Sequence, residues 1–100
     1  MMDKYIALHT LKTSAEEFVK AFTQMAPEFA KAIASGQTPA KCIKSWNPIP
    51  HGRTEYMFCL WEANKPEDIE ASLGQANDYL TLDVFKVDEI DWEQMAKAGG

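Results

Sequence analysis

Little in this chain announces a reaction. It has no Cys-x-x-Cys pair: Cys42 and Cys59 stand alone in 100 residues, and two cysteines are too few for a disulfide framework, so reduced thiols are expected. Nowhere do about 18 apolar residues run together. The start Met1-Met-Asp-Lys4 lacks the apolar stretch of a signal peptide. Basic residues are the minority, with 10 Lys and Arg against 15 Asp and Glu and a net charge of −5. Because the acidic residues are spread along the chain, its surface repels phosphate and anionic lipid, which excludes nucleic acid and membrane as expected partners. No Ser-His-Asp or Cys-His nucleophile motif is present. Asp83, Asp88, Glu89 and Asp91 follow no calcium-loop pattern, and His9, His51, Cys42 and Cys59 have no spacing that forces them onto one metal. The expectation is a cytoplasmic protein with no metal and no cofactor.

What is present is 46% hydrophobic and 25% charged residues, enough for one core and one domain. That domain is expected over residues 1–92, with a flexible tail over 93–100 holding at most one helical turn. The run Arg53-Thr-Glu-Tyr-Met-Phe-Cys-Leu-Trp-Glu-Ala63 reads as a strand that is apolar on both faces, which suits the middle of a sheet. Lys4–Leu11 has the same character, with Ile6 and Leu8 on one side and Tyr5, Ala7 and His9 on the other. Ala40–Trp46 and Leu80–Ile90 mix lysines and aspartates into their apolar residues, as edge strands do.

Two helices lie between these strands. Ser14 and Glu17 form a capping box before Phe18, Phe22, Met25, Phe29 and Ile33, an apolar stripe at helical spacing. Pro27 interrupts it, so a kink or break is expected near Met25. Pro66, Glu67 and Asp68 open a second helix whose short stripe is Ile69, Leu73 and Ala76, weakened by Gly74.

The order strand, helix, strand, strand, helix, strand, with right-handed crossovers, favours an α+β fold of split βαβ type. Its four-stranded antiparallel sheet has the order 4-1-3-2, with both helices on one face. The register that sets Trp46 against Thr54 sets Lys44 against Tyr56 and Cys42 against Phe58, so the two thiols point to opposite faces. One face of the sheet is left uncovered, and its aromatic residues are expected to pack against a second copy of the chain, enclosing a cavity.

The βαββαβ order, the Trp-containing second strand, the run Tyr56-Met-Phe-Cys-Leu-Trp-Glu-Ala63, the helix start Lys65-Pro-Glu-Asp-Ile69 and the final Leu82-Asp-Val-Phe-Lys-Val87 resemble the dimeric α+β barrel superfamily of the ferredoxin-like fold. The resemblance spans roughly residues 4–92 and is greatest to small uncharacterised bacterial and archaeal members. It implies a homodimer. Relatives by fold include cofactor-independent monooxygenases, lactone isomerases, chlorite dismutase-like haem proteins and a nickel-binding protein, so it implies no single activity.

The candidate ligand-binding residues are His9, Lys44, Trp46, Tyr56 and Phe58, gathered on the uncovered face near one end of the sheet. His9 is a polar residue on a central strand: either a structural histidine, or a base or ligand contact. Tyr56 is the second catalytic candidate, against a packing role with a polar handle. Lys44 reads equally as an edge charge. The leading expectation is a homodimer binding a small, largely apolar molecule between sheet and partner. The alternatives are a cofactor-independent monooxygenase or isomerase with His9 as base, and a structural or regulatory dimer without a cavity.

Overall fold

The computed structural model describes residues 2–99. Its centre is a pair of antiparallel strands, β1 (Asp3–Thr10) and β3 (Tyr56–Ala63), paired from Asp3 with Ala63 to Thr10 with Tyr56. Burial alternates along both. Tyr5, Ala7 and His9, with Met57, Cys59, Trp61 and Ala63, are buried on one face, while Ile6, Leu8, Tyr56, Phe58 and Leu60 are half-buried on the other. Strand β2 (Lys41–Trp46) pairs with β3, and β4 (Asp83–Lys86) with β1, both antiparallel. The sheet order is β2-β3-β1-β4, the expected order read from the other edge. The chain is thus of the α+β class, and the charge pattern located the edges correctly because backbone at an edge meets water.

The expected register of β2 is corrected. Trp46 pairs with Phe58 rather than Thr54, because the connection takes up more residues than a simple loop. Ile49–His51 forms a 3₁₀ turn with Ile49 as a buried plug. The amides of Arg53 and Gly52 bond back to Pro48 and Ile49, both at 3.2 Å, and Gly52 takes a positive φ of 94°, which L side chains avoid. A β-bulge then follows: Cys42 pairs with Trp61 and Lys44 with Leu60, leaving Ile43 extra. An extra residue inverts alternation beyond it. Cys42 therefore joins Ser45, Cys59 and Trp61 on the helix-covered face, which overturns the expectation that the two thiols point apart.

Helix α1 (Ala15–Ala34) begins at Ser14, whose Oγ accepts from the Glu17 amide at 3.2 Å. It runs through Pro27 as one element, so the expected break is absent. The proline costs the Thr23 carbonyl its helical partner, but Thr23 and Pro27 are both exposed and water can serve that carbonyl. Helix α2 (Pro66–Leu73) ends at Gly74, with φ 52°, and the chain continues as a 3₁₀ turn over Gly74–Asp78. Ile69 and Leu73 are buried in the core that also holds Phe18, so α1 and α2 cover the same face. Ser72 ties α2 to the sheet: its hydroxyl donates to the Asp68 carbonyl at 2.7 Å and accepts from the Ala40 amide at 2.9 Å.

The segment expected as a tail carries helix α3 (Trp92–Ala98), capped by the Asp91 carboxylate at 3.1 and 3.2 Å from two amides. All its residues are exposed. The radius of gyration is 14.9 Å, against about 13 Å for a close-packed chain of this length. No described helix is long and apolar enough to cross a membrane.

Candidate ligand-binding site

Helix α1 does not lie flat on the sheet. Of its stripe only Phe18 is fully buried; Met25, Phe29 and Ile33 are half-buried, and Phe22 is 39% exposed. Phe18 anchors one part of the helix, and Phe29 sets its ring edge-on to Trp61 at 6.2 Å in another. Between them a cavity of about 480 Å³ opens beneath α1, walled by Phe18, Phe22, Met25, Phe29, Met57, Trp61 and Leu73, with His9, Ser45 and both cysteines among its polar groups. No lysine or arginine lines it, and Glu28 is its one carboxylate. Such a space suits an uncharged, largely aromatic molecule.

His9 is wholly buried and firmly oriented. The Thr10 amide donates to Thr81 Oγ1 at 2.9 Å, and the Thr81 and Lys12 amides donate to the Thr10 and Tyr79 carbonyls at 2.8 Å, fastening the end of β1 to the strand entering β4. Nδ1 of His9 lies 3.0 Å from the Thr81 carbonyl. A carbonyl only accepts, so Nδ1 carries the proton and Nε2 presents a bare lone pair. Burial pushes the His9 pKa below its ordinary value, and the Thr81 carbonyl opposes this without reversing it. The ring is therefore neutral near pH 7.

Among the described residues, the buried side-chain polar atoms without a partner are His9 Nε2 and Trp61 Nε1, and both residues line the cavity. Nε2 accepts and Nε1 donates. Because His9 pairs with Met57, and Trp61 with Tyr5, the two stand four strand positions apart, about 13 Å along the sheet. One small functional group cannot satisfy both; an elongated molecule can.

The thiols form a third polar group on the same wall. Ser45 Oγ lies 3.1 Å from Cys59 Sγ and 3.7 Å from Cys42 Sγ. Cys59 is buried and Cys42 half-buried.

The five residues expected to share one pocket are divided between two faces. His9 pairs with Met57 while Thr10 pairs with Tyr56, so the alternation of a strand puts His9 under the helices and Tyr56 on the open face. Lys44, Trp46 and Phe58 are on the open face too, where the Tyr56 and Phe58 rings meet edge-on at 5.2 Å. A smaller hollow of about 340 Å³ there is lined by Lys44, Trp46, Ile43, Leu60 and the charged residues Lys4, Glu62 and Glu89. His51 is exposed in its turn. Sequence reasoning missed Trp61, Ser45 and the phenylalanines of α1 as site residues, because an apolar stripe at helical spacing is the same whether it fills a core or roofs a cavity. Among the described residues no three His, Cys, Asp or Glu side chains gather into a metal site. Compared with protein-family profiles, with curated proteins and with solved structures, the chain matches none of them.

Proposed function

We propose that this protein binds a neutral, elongated and largely aromatic small molecule beneath α1, with a hydrogen-bond donor such as a phenolic hydroxyl directed at His9 Nε2. The observation that carries the reading is a pair of wholly buried, unpartnered polar atoms on His9 and Trp61, two residues that line a cavity otherwise walled by phenylalanine, methionine and leucine. A buried polar atom left unpaired costs about 1–3 kcal/mol, so a molecule that donates to Nε2 and accepts from Trp61 Nε1–H gains by filling each vacancy. The lack of a lining cation argues against anions, whose burial unpaired is costly. This relocates the ligand from the expected space between sheet and partner to the space between sheet and helix.

The test is a titration with a 4-alkylphenol and with its methyl ether, followed by tryptophan fluorescence. The phenol should bind about tenfold more tightly, and His9→Leu should abolish that preference, since only the phenol can donate. Equal affinity of the two in the wild type would sink the proposal.

A second reading has one observation of its own in favour. A neutral imidazole whose Nδ1–H is held by a carbonyl is poised as a general base, as a cofactor-independent oxygenase or isomerase would need. Oxygen consumption or isomerised product from the bound phenol would distinguish that reading from binding alone. Tyr56, on the opposite face, has no part in either.

The open face is the second element of the proposal. Ile6, Leu8, Tyr56, Phe58, Leu60, Trp46 and Phe85 make it apolar, with Trp46 and Phe85 about half exposed, and Lys44, Lys4 and Glu62 give its margin both signs of charge. A two-fold interface has to be self-complementary, and an apolar face rimmed by both signs of charge has the groups that this requires. It supports a homodimer joined sheet to sheet, in the ferredoxin-like dimeric α+β barrel arrangement that the element order and strand order are compatible with.

A further inference from the structure

We propose that Cys42 and Cys59 are an oxidisable dithiol, closed by hydrogen peroxide into a disulfide within one chain. The bulge at Ile43 turns Cys42 onto the face where Cys59 already lies, and Ser45 Oγ sits between the two sulfurs at 3.7 and 3.1 Å. Both thiols line the same solvent-connected cavity, so peroxide can reach them. Diagonal neighbours on adjacent strands start with their Cβ atoms up to about 7 Å apart, whereas a disulfide needs about 4 Å. Closure therefore requires β2 to shift. An edge strand that is already bulged and mostly exposed is the element of this sheet best able to do so.

Cys42 is the attacking group. It is the more accessible of the two, and the neighbouring Cys59 thiol holds its pKa below the ordinary thiol value, with burial opposing and Ser45 assisting. Cys42 in turn, together with burial, pushes the Cys59 thiol up. The Cys42 thiolate attacks one peroxide oxygen and the O–O bond breaks. The departing hydroxide takes up the proton Cys42 gave away and leaves as water, with Cys42 now a sulfenic acid. Cys59 sulfur then attacks the Cys42 sulfur, the S–O bond breaks, and the leaving hydroxide combines with the Cys59 proton. Two thiols and one peroxide give one disulfide and two waters: the sulfurs lose two electrons and the peroxide gains two.

The reduced wild-type protein treated with one equivalent of hydrogen peroxide tests this without any ligand. Its intact mass, measured unfolded, should fall by two hydrogens, both thiols should become inert to iodoacetamide, and digestion should yield residues 42 and 59 in one linked peptide from a single chain. In Cys59→Ser the sulfenic acid should persist and be trapped by dimedone, while Cys42→Ser should lose its remaining thiol about tenfold more slowly than the wild type. A gain of oxygen without linkage, a disulfide joining two chains, or equal rates in both variants would overturn the proposal. These outcomes are independent of whether any phenol binds.

Discussion

At His9 a single ring fixes both the polarity of the cavity and a dependence on pH. Its pKa in the folded chain is below the ordinary value of 6.5, while the unfolded chain keeps that value. As pH falls, the unfolded state takes up its proton first, so the unfolded state gains. The contribution of His9 to stability is therefore complete above about pH 6.5, declines as pH falls through that value and levels off below the folded pKa. Urea unfolding at a series of pH values, wild type beside His9→Gln, isolates the effect because every other titratable group acts on both. The wild type should lose more stability than the variant between pH 7 and 5; parallel profiles would mean that the buried ring accepts its proton in place. That His9 stands out was legible, since a polar residue on a strand apolar on both faces is conspicuous. Which face it occupied was not, because Tyr5, Ala7 and His9 alternate with Ile6 and Leu8 identically whichever side the helices cover.

Among the elements, α2 and β2 are joined by one hydroxyl. Ser72 is buried, and so is the Ala40 amide that it accepts from. Ser72→Ala would leave that N–H without a partner, and a loss of about 1–3 kcal/mol in urea-derived stability is expected. A loss below about 0.5 kcal/mol would show the amide re-bonded elsewhere, with α2 held by Ile69 and Leu73 alone. Ser72 falls on the buried side of α2 between those two residues, yet nothing in its spacing marks it as a tie to a strand 32 positions earlier in the chain. The strands were the more readable elements: β1 and β3 by their apolar character, β2 and β4 by their charges. The bulge was not readable, because Cys42, Lys44 and Trp46 alternate with Ile43 and Ser45 as plausibly without it as with it. The stand-off of α1 was hidden too, since the helix keeps its periodic stripe and only its distance from the sheet differs.

On the scale of the whole molecule, the two faces of the sheet carry separate tasks under the proposals made above: small-molecule binding under the helices, self-association on the open side. Phe58→Lys addresses only the second. Phe58 is half-buried against Tyr56 on the open face, outside the core beneath the helices. The variant should fold with its circular dichroism unchanged and sediment as a monomer where the wild type sediments as a dimer. A wild type that is itself monomeric at tens of micromolar would remove the self-association proposal, while the cavity under α1 would remain whole within one chain.

The extra residue at Ile43 makes β2 tolerant of a change in its own length. Loss of that one codon would restore regular pairing to β2: with the pairing from Lys44 onward kept, Cys42 would still stand opposite Trp61 and Lys41 opposite Glu62, each on its present face. Neither the wall thiol of the cavity nor the lysine on the open side would change face. The bulge is thus a position where one residue can be lost with the faces on either side unchanged, so related chains that keep both thiols on one wall are expected to differ in residue count there.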